Sequence, residues 1–405
     1  MDAMTRRRFL IASGVTGGAA LAAGSGVVTW RQLTGRAASD PLPSGAKVLV
    51  LVTLYGGNDG LNTVIPYADP AYHAARPALA YTDSDVLHLD AELGLNPAMT
   101  GLARLWKNKQ LAIVRGVDYP NPDFSHFRSM DIWQSASPDK PVNTGWIGRW
   151  LDATGNDPIR AVNIGSVLPP LAVGAKCTAA ALPIGNSRPL AADLAVAFTG
   201  LGHPDPVDSP AEGMVTASYR AERTVSSTFS AILHPSTPPA AGSATGSTSL
   251  KAQLDVVARC VKAGVPTTVY SVDLGGFDTH ADELGTQETQ LGLLDTAISG
   301  FLTDMANDPR GRGVVLMAYS EFGRRVAANA SQGTDHGSAG PVFLAGTAVK
   351  GGFYGERPSL TDLDNGNLKS SVDFRAIYGE VLHRVLGADP TQILDSTHPE
   401  LGILA

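Results

Sequence analysis

The fold is decided by residues 46–60, AKVLVLVTLYGGNDG. Residues 46–55 are almost all aliphatic or β-branched, which is the pattern of a strand covered on both faces of a sheet. A glycine-rich turn follows at once, and Asp59 lies in it. We therefore predict an α/β fold in which residues 46–55 form the first central strand and Asp59 faces the crevice beyond its carboxyl end.

Apolar runs followed by polar residues recur along the chain. The pattern predicts further strands at 111–117, 160–164, 171–173, 267–274, 313–319 and 342–345. Apolar residues at helical spacing predict helices at 125–134, 143–153, 211–233, 250–262 and 372–386, and a long helix that ends near 305. This alternation predicts a mostly parallel central sheet with helices on both faces.

Length and composition favour one large domain and exclude a nucleic-acid-binding surface. No linker-like break interrupts residues 45–405, although 234–249 (HPSTPPAAGSATGSTS) is low-complexity and is predicted to be a mobile surface excursion. The net charge is -7, and the chain after residue 38 has no block of Lys and Arg for a phosphate backbone. Cys177 and Cys260 have no metal-ligand spacing; free thiols and a disulfide are both compatible with the sequence.

The pattern of the first 38 residues predicts an export signal. The basic stretch TRRRFL at 5–10 precedes a weakly hydrophobic run rich in Ala and Gly, which is typical of a twin-arginine signal. We expect the twin-arginine export machinery as a partner and a periplasmic or extracellular location. Cleavage near Ala37 and Ala38 and retention as an N-terminal anchor are both compatible with this segment.

Polar clusters that follow the predicted strands supply candidate site residues. Carboxylates and imidazoles gathered at one sheet edge suit a divalent ion such as zinc, manganese, magnesium or calcium. The residues concerned are Asp59, Asp278, His280, Glu321 and His336. Ser125, at a predicted helix start, is the candidate nucleophile, with His126 and Arg128 close enough to assist.

Each cluster also has a structural explanation. Asp59 suits turn chemistry, Ser125 suits a helix cap, and Thr279 with the acids after it resembles a capping box. Glu321 and His336 are compatible with ordinary polar loops, and His126 and Arg128 with surface positions on a first helical turn.

Six motifs resemble the bacterial exported family known as domain of unknown function 1501, over nearly all of the chain after the signal. They are LVTLYGGNDGLNTVIPY, FSHFRSMDIW, GWIGRWLD, DLGGFDTHADE, YSEFGRR and TDHGSAGPVFLAG. That family is similar in turn to the alkaline phosphatase and sulfatase superfamily. The resemblance implies an alkaline-phosphatase-like fold, Asp59 as the first metal ligand and Ser125 as the nucleophile. It also implies Asp278 with His280 as the next ligand pair and His336 as the last ligand.

Two departures from the superfamily pattern bear on the metal count. One residue separates Asp278 from His280 where the superfamily usually has three, and Ser320-Glu321 stands where Asp-His is expected. A single-metal centre is therefore as compatible with the sequence as a pair.

The leading hypothesis is an exported metal-dependent hydrolase of a small phosphate or sulfate ester with a serine nucleophile. The alternative is a non-catalytic binding or scaffold protein on a degenerate enzyme fold. A metal-free serine hydrolase ranks below both because the nearest match to a nucleophile elbow, GNSRP at 185–189, lacks the second glycine.

Overall fold

The computed structural model describes residues 28, 30–155, 157–165, 167–184, 249–396 and 398–405. The predicted signal up to residue 27, the helix at 211–233 and the low-complexity stretch up to residue 248 lie outside the described residues. The described strands are β1 Val48–Leu54, β2 Val64–Ile65, β3 Leu87–His88, β4 Gly94–Leu95, β5 Leu111–Asp118, β6 Ala161–Ile164, β7 Ala180–Leu182, β8 Val269–Leu274, β9 Val314–Ser320, β10 Gly323–Arg324, β11 His336–Gly337, β12 Gly340–Ala345, β13 Gly352–Tyr354 and β14 Val372–Asp373.

A nine-stranded sheet forms the centre of the molecule. Its order is β13-β5-β12-β9-β1-β8-β6-β7, and β14 also pairs with β5. Strand β1 lies between β8 and β9 and is parallel to both, whereas β12 runs antiparallel to its two neighbours. The predicted class, a mostly parallel α/β sheet, is confirmed.

Helices cover both faces of this sheet. They are α1 Trp30–Ser39, α2 Pro70–Ala75, α3 Thr100–Lys107, α4 His126–Ser135, α5 Trp146–Thr154, α6 Leu250–Lys262, α7 Glu283–Ala306 and α8 Phe374–Arg384. Alternate residues of β1 enter two separate cores, as expected from the two-residue period of a strand. Val48 and Val50 pack in the core that includes α1, α3, α6 and α7, whereas Leu49 and Leu51 pack with α4, α5 and α8.

One predicted element differs in type from the structure, and some begin later than predicted, such as α5, which begins at Trp146 instead of residue 143, and β8, which begins at Val269 instead of residue 267. Residues 171–173 were expected to form a strand, but Pro170–Ala172 is a short 3-10 helix, because Pro169 and Pro170 lack the N–H groups that a ladder needs. Helix α8 begins later than predicted, at Phe374, where the Asp373 carboxylate accepts a hydrogen bond from the Arg375 N–H.

Near the N-terminus of the described chain, α1 packs on the domain. Its Leu33 is fully buried, and the Val28 N–H donates to the Ala181 carbonyl at 3.0 Å. Among the described helices, none combines the length and apolar character needed to cross a membrane. Cys177 and Cys260 are free thiols.

Candidate metal centre

The candidate site lies where β1, β8 and β9 end side by side. The loop after β8 carries Asp278 and His280, and the loop after β9 begins with Glu321. The ribbon formed by β10 and β11 brings His336 to the same edge. Helix α4 starts there with His126. Strand ends therefore gather residues that are up to 210 positions apart in sequence, from 126 to 336.

Gly56 lets the loops after β1 and β8 approach each other. Its φ is +119°, and an added Cβ would lie 2.4 Å from the Asp278 nitrogen. Any other residue would push the Asp278 loop away, because the obstacle is backbone rather than a flexible side chain.

Three imidazoles converge on one carboxylate. His280 Nε2 lies 3.0 Å and His336 Nε2 3.3 Å from Asp278 Oδ1, and His126 Nε2 lies 3.6 Å from Asp278 Oδ2. The Nε2 atoms of His280 and His336 are 3.0 Å apart. His126, Asp278 and His336 each offer an atom within 4.8 Å of the other two.

The second nitrogen of each imidazole has an acceptor outside the cluster. His126 Nδ1 lies 2.8 Å from Glu321 Oε1, His336 Nδ1 lies 2.8 Å from the Phe124 carbonyl, and His280 Nδ1 lies 3.4 Å from Asp335 Oδ1. These acceptors assign the proton to Nδ1 and leave the Nε2 lone pairs directed at one another and at Asp278.

This donor set fits a divalent cation. Facing lone pairs only 3.0 Å apart repel unless a proton or a cation lies between them. Imidazoles whose Nδ1–H is held by a carboxylate or a carbonyl are typical of metal ligands in proteins. Burial is the main cause that lowers the pKa of His336, which favours the neutral form that binds metal. Three imidazoles with one carboxylate suit zinc and other first-row transition ions better than magnesium or calcium.

Arg324 holds Asp278 in place. Its guanidinium is buried and donates to Asp278 Oδ1 at 2.8 Å. It also donates to backbone carbonyls of the surrounding loops, which are those of Gly56, Gly57, Phe277 and Thr334. Burial alone would raise the pKa of Asp278, but the hydrogen bonds from Arg324 and His336 hold it below its usual value. The sequence analysis did not single out Arg324, although it lies in the motif YSEFGRR directly after β9.

The structure places Asp59 in an ion pair instead of the cluster. Its carboxylate is fully buried and is bound by both terminal nitrogens of Arg76, with Nη2 at 2.9 Å from Oδ1. Burial would raise the pKa of Asp59, but the neighbouring guanidinium outweighs it and keeps the carboxylate ionised. Because its oxygens bind a cationic side chain here, Asp59 is not among the donors that converge on Asp278, and its role as the first ligand stays a prediction.

Glu321 supports a ligand instead of facing the cation. Its Oε1 accepts from the Gly56 N–H at 2.8 Å as well as from His126, and its Oε2 accepts from the Ser320 hydroxyl at 2.9 Å. The side chain is buried, with 1% exposure. In this structure Glu321 orients His126, and its role as a ligand stays a prediction.

The three predicted catalytic residues have different surroundings. Ser125 is exposed at the N-cap of α4, and its hydroxyl makes no capping hydrogen bond. The residues on either side, Phe124 and His126, both contact the cluster. The Arg128 guanidinium is paired with Asp131 at 2.5 Å instead of with a residue of the cluster. His126 joins the donor set, so it is a candidate ligand and not only a helper of Ser125.

The segments that carry Asp278, His280 and His336 lie together in the C-terminal part of the chain, at 269–345. Residues 233–399 match the model of the family described as a protein of unknown function (DUF1501). The resemblance read from the motifs is confirmed over this region. Three of the four candidate donors lie within the DUF1501 region, whereas His126 precedes it.

Solved structures give a distant likeness. A protein in the alkaline phosphatase superfamily from Vibrio parahaemolyticus is 10% identical, with 93% of this chain and 81% of that chain covered and a TM-score of 0.43. The PsFucS1 sulfatase from Pseudoalteromonas sp. is 12% identical, with 82% and 68% covered and a TM-score of 0.34. Likeness at this level does not carry information about activity. No curated protein sequence matches this chain.

Proposed function

We propose that this protein is a metal-dependent hydrolase of a small phosphate or sulfate ester. One divalent cation is held by His126, Asp278, His280 and His336. The observation that carries the proposal is the convergence of three Nε2 atoms on Asp278, each imidazole having an acceptor for its Nδ1–H outside the cluster. A polar loop edge without a ligand has no need of this arrangement.

A bound cation supplies Lewis-acid stabilisation of the charge that develops on the ester oxygens. The protein supplies the orientation. Glu321 fixes the ring of His126, and Arg324 fixes the carboxylate of Asp278. Because the loops are joined by hydrogen bonds before any substrate arrives, the donors do not need to reorganise during the reaction.

Ser125 is the nucleophile in this proposal. Its hydroxyl is exposed, free of a capping bond, and placed at the N-terminus of the ten-residue helix α4, where backbone N–H groups favour an anionic centre. Ser125 Oγ attacks the phosphorus or sulfur atom, the alcohol departs with the serine proton, and water then releases phosphate or sulfate. We further propose export by the twin-arginine machinery and a periplasmic or extracellular location, on the strength of the N-terminal sequence.

The competing function is cation binding without catalysis. It is favoured by the burial of Asp59 and Glu321, whose carboxylates are bound by protein groups, so that the described residues offer donors for one cation.

Elemental analysis combined with an ester screen tests both. Purified protein should contain close to one transition ion per chain, and Asp278→Asn should lose it. Asp255→Asn is the matched control, since Asp255 is an exposed carboxylate paired with Lys251 on α6. Hydrolysis that disappears with chelator, with Asp278→Asn and with Ser125→Ala supports the enzyme. Stoichiometric metal without hydrolysis of any phosphate or sulfate ester supports the binding protein, and Asp278→Asn with full metal content contradicts both.

A further inference from the structure

A cavity of about 510 Å³ opens beside the candidate metal centre. It shares His126 and Glu321 with that centre and extends along the ends of β1 and β8, where Tyr55 and Asp273 line it. The volume is within the range of small-molecule sites, and the position at the carboxyl ends of parallel strands is where α/β proteins bind ligands.

Much of the wall is apolar and carries exposed hydrophobic side chains. Met130 and Leu171 line the cavity, and Phe127 and Val167 do so with 91% and 68% of their surface exposed. A large aromatic side chain in water next to a cavity is typical of a surface that a ligand covers. The wall therefore fits a ligand with an apolar body.

The charge of the lining is negative. Asp131 is neutralised by Arg128, and Glu321 is bound to His126. Asp273 has no hydrogen-bond or ion-pair partner for its carboxylate among the described residues, and it is exposed. No Lys or Arg is found among the described lining residues. The Asp273 carboxylate has no counterion among the described residues, so it repels an anionic ligand and attracts a cationic one.

We propose that this cavity binds a small organic cation, with an ammonium group directed at Asp273 and an aromatic or aliphatic body against Phe127 and Met130. We further infer that the organic cation forms the alcohol part of the ester cleaved at the neighbouring centre, and this step rests on the function proposed above. Binding of the cation does not depend on that function.

Calorimetric titration of the full chain in the presence of a chelator tests the proposal. The probes are benzyltrimethylammonium, the neutral 2-phenylethanol and the anionic 3-phenylpropionate, which share a phenyl ring and differ in charge. The chelator removes any bound metal, so none of the probes can bind as a metal ligand. We expect the cation to bind most tightly and the anion least tightly.

Two variants locate the site. Asp273→Asn should weaken binding of the cation about tenfold, which corresponds to about 1.4 kcal/mol, and leave 2-phenylethanol unchanged. Phe127→Ala changes a side chain that folding does not bury, and it should weaken the binding of all three probes alike. Asp255→Asn is the control and should change none of them.

The proposal is overturned if no probe binds, if the anion binds as tightly as the cation, or if Asp273→Asn keeps the preference for the cation. Because these titrations contain chelator, a failure of the metal-dependent hydrolase proposal leaves their outcome unaffected.

Discussion

The buried pair of Asp59 and Arg76 gives the sharpest prediction, because Asp59 was also a predicted metal ligand. Both side chains are fully buried, and the Arg76 guanidinium also donates to the carbonyls of Arg325 and Val326, at 2.7 and 2.8 Å. Asp59→Ala leaves this guanidinium charge in the interior without its bound carboxylate, and Glu283 is then the neighbouring acid. Breaking a buried pair from one side costs about 3–5 kcal/mol, a large part of a typical free energy of unfolding.

Equilibrium unfolding in urea measures this cost. The double variant Asp59→Leu with Arg76→Met removes both charges and should recover most of the lost free energy of unfolding, since apolar replacement of a buried pair is often close to neutral. The metal content of the folded protein should stay at the wild-type value in both variants, whereas Asp278→Asn should lose the metal.

The contribution of this pair to stability depends on pH. The pKa of Asp59 is held below its usual value in the folded state, so its stabilising contribution is present above pH 3.8, the ordinary value, and is lost as the pH falls through the folded pKa. A loss of metal in Asp59→Ala with an unchanged free energy of unfolding would refute the structural role assigned to Asp59.

Three further predictions concern other buried carboxylates. Glu321→Gln weakens the orientation of His126 and should lower metal affinity about 10- to 100-fold in a chelator competition. The control Glu288→Gln, on the exposed side of α7, should leave the affinity unchanged. Equal affinities of the two variants would contradict the orienting role. Burial raises the pKa of Asp118 from 3.8 to about 7, so the folded state keeps a proton that the unfolded chain loses. Stability from this group is therefore present below pH 3.8 and lost as the pH rises to about 7. As the pH rises over that interval, the free energy of unfolding of Asp118→Asn minus that of wild type should increase by about 4 kcal/mol. A difference that stays constant would contradict this. Glu380→Ala removes the acceptor of three backbone N–H groups at residues 401–404 and should cost roughly 3 kcal/mol, with faster hydrogen exchange there; unchanged exchange would show that these bonds do not hold the C-terminal segment.

The sequence predicts the sheet well because the information is local. A run such as VLVLVTL at 48–54 can be fully buried only as a central strand, and its alternate side chains then enter two cores. The meeting of Asp278, His280 and His336 follows from the same rule, since loops that leave neighbouring strand ends share one edge of the sheet.

The roles of single carboxylates are not local, and the sequence could not assign them. Asp59 and Asp278 both follow central strands, yet a guanidinium 17 residues along the chain binds Asp59, and Arg324 with two imidazoles surrounds Asp278. Spacing alone gives no sign of which arginine reaches which acid. Glu321 shows the same limit, because whether it binds a cation or a histidine depends on how α4 is placed against β9.

Helix α1 has a consequence for processing. The predicted cut near Ala37 and Ala38 lies in a helix whose Leu33 and Ala37 are packed into the domain, with 0% and 8% exposure. A peptidase needs an extended strand in its cleft, so the scissile bond becomes accessible only when this helix has been unwound and lifted off the domain. Cleavage at that position would then proceed at the rate at which the helix opens locally. It would also expose the apolar surface that Leu33 covers.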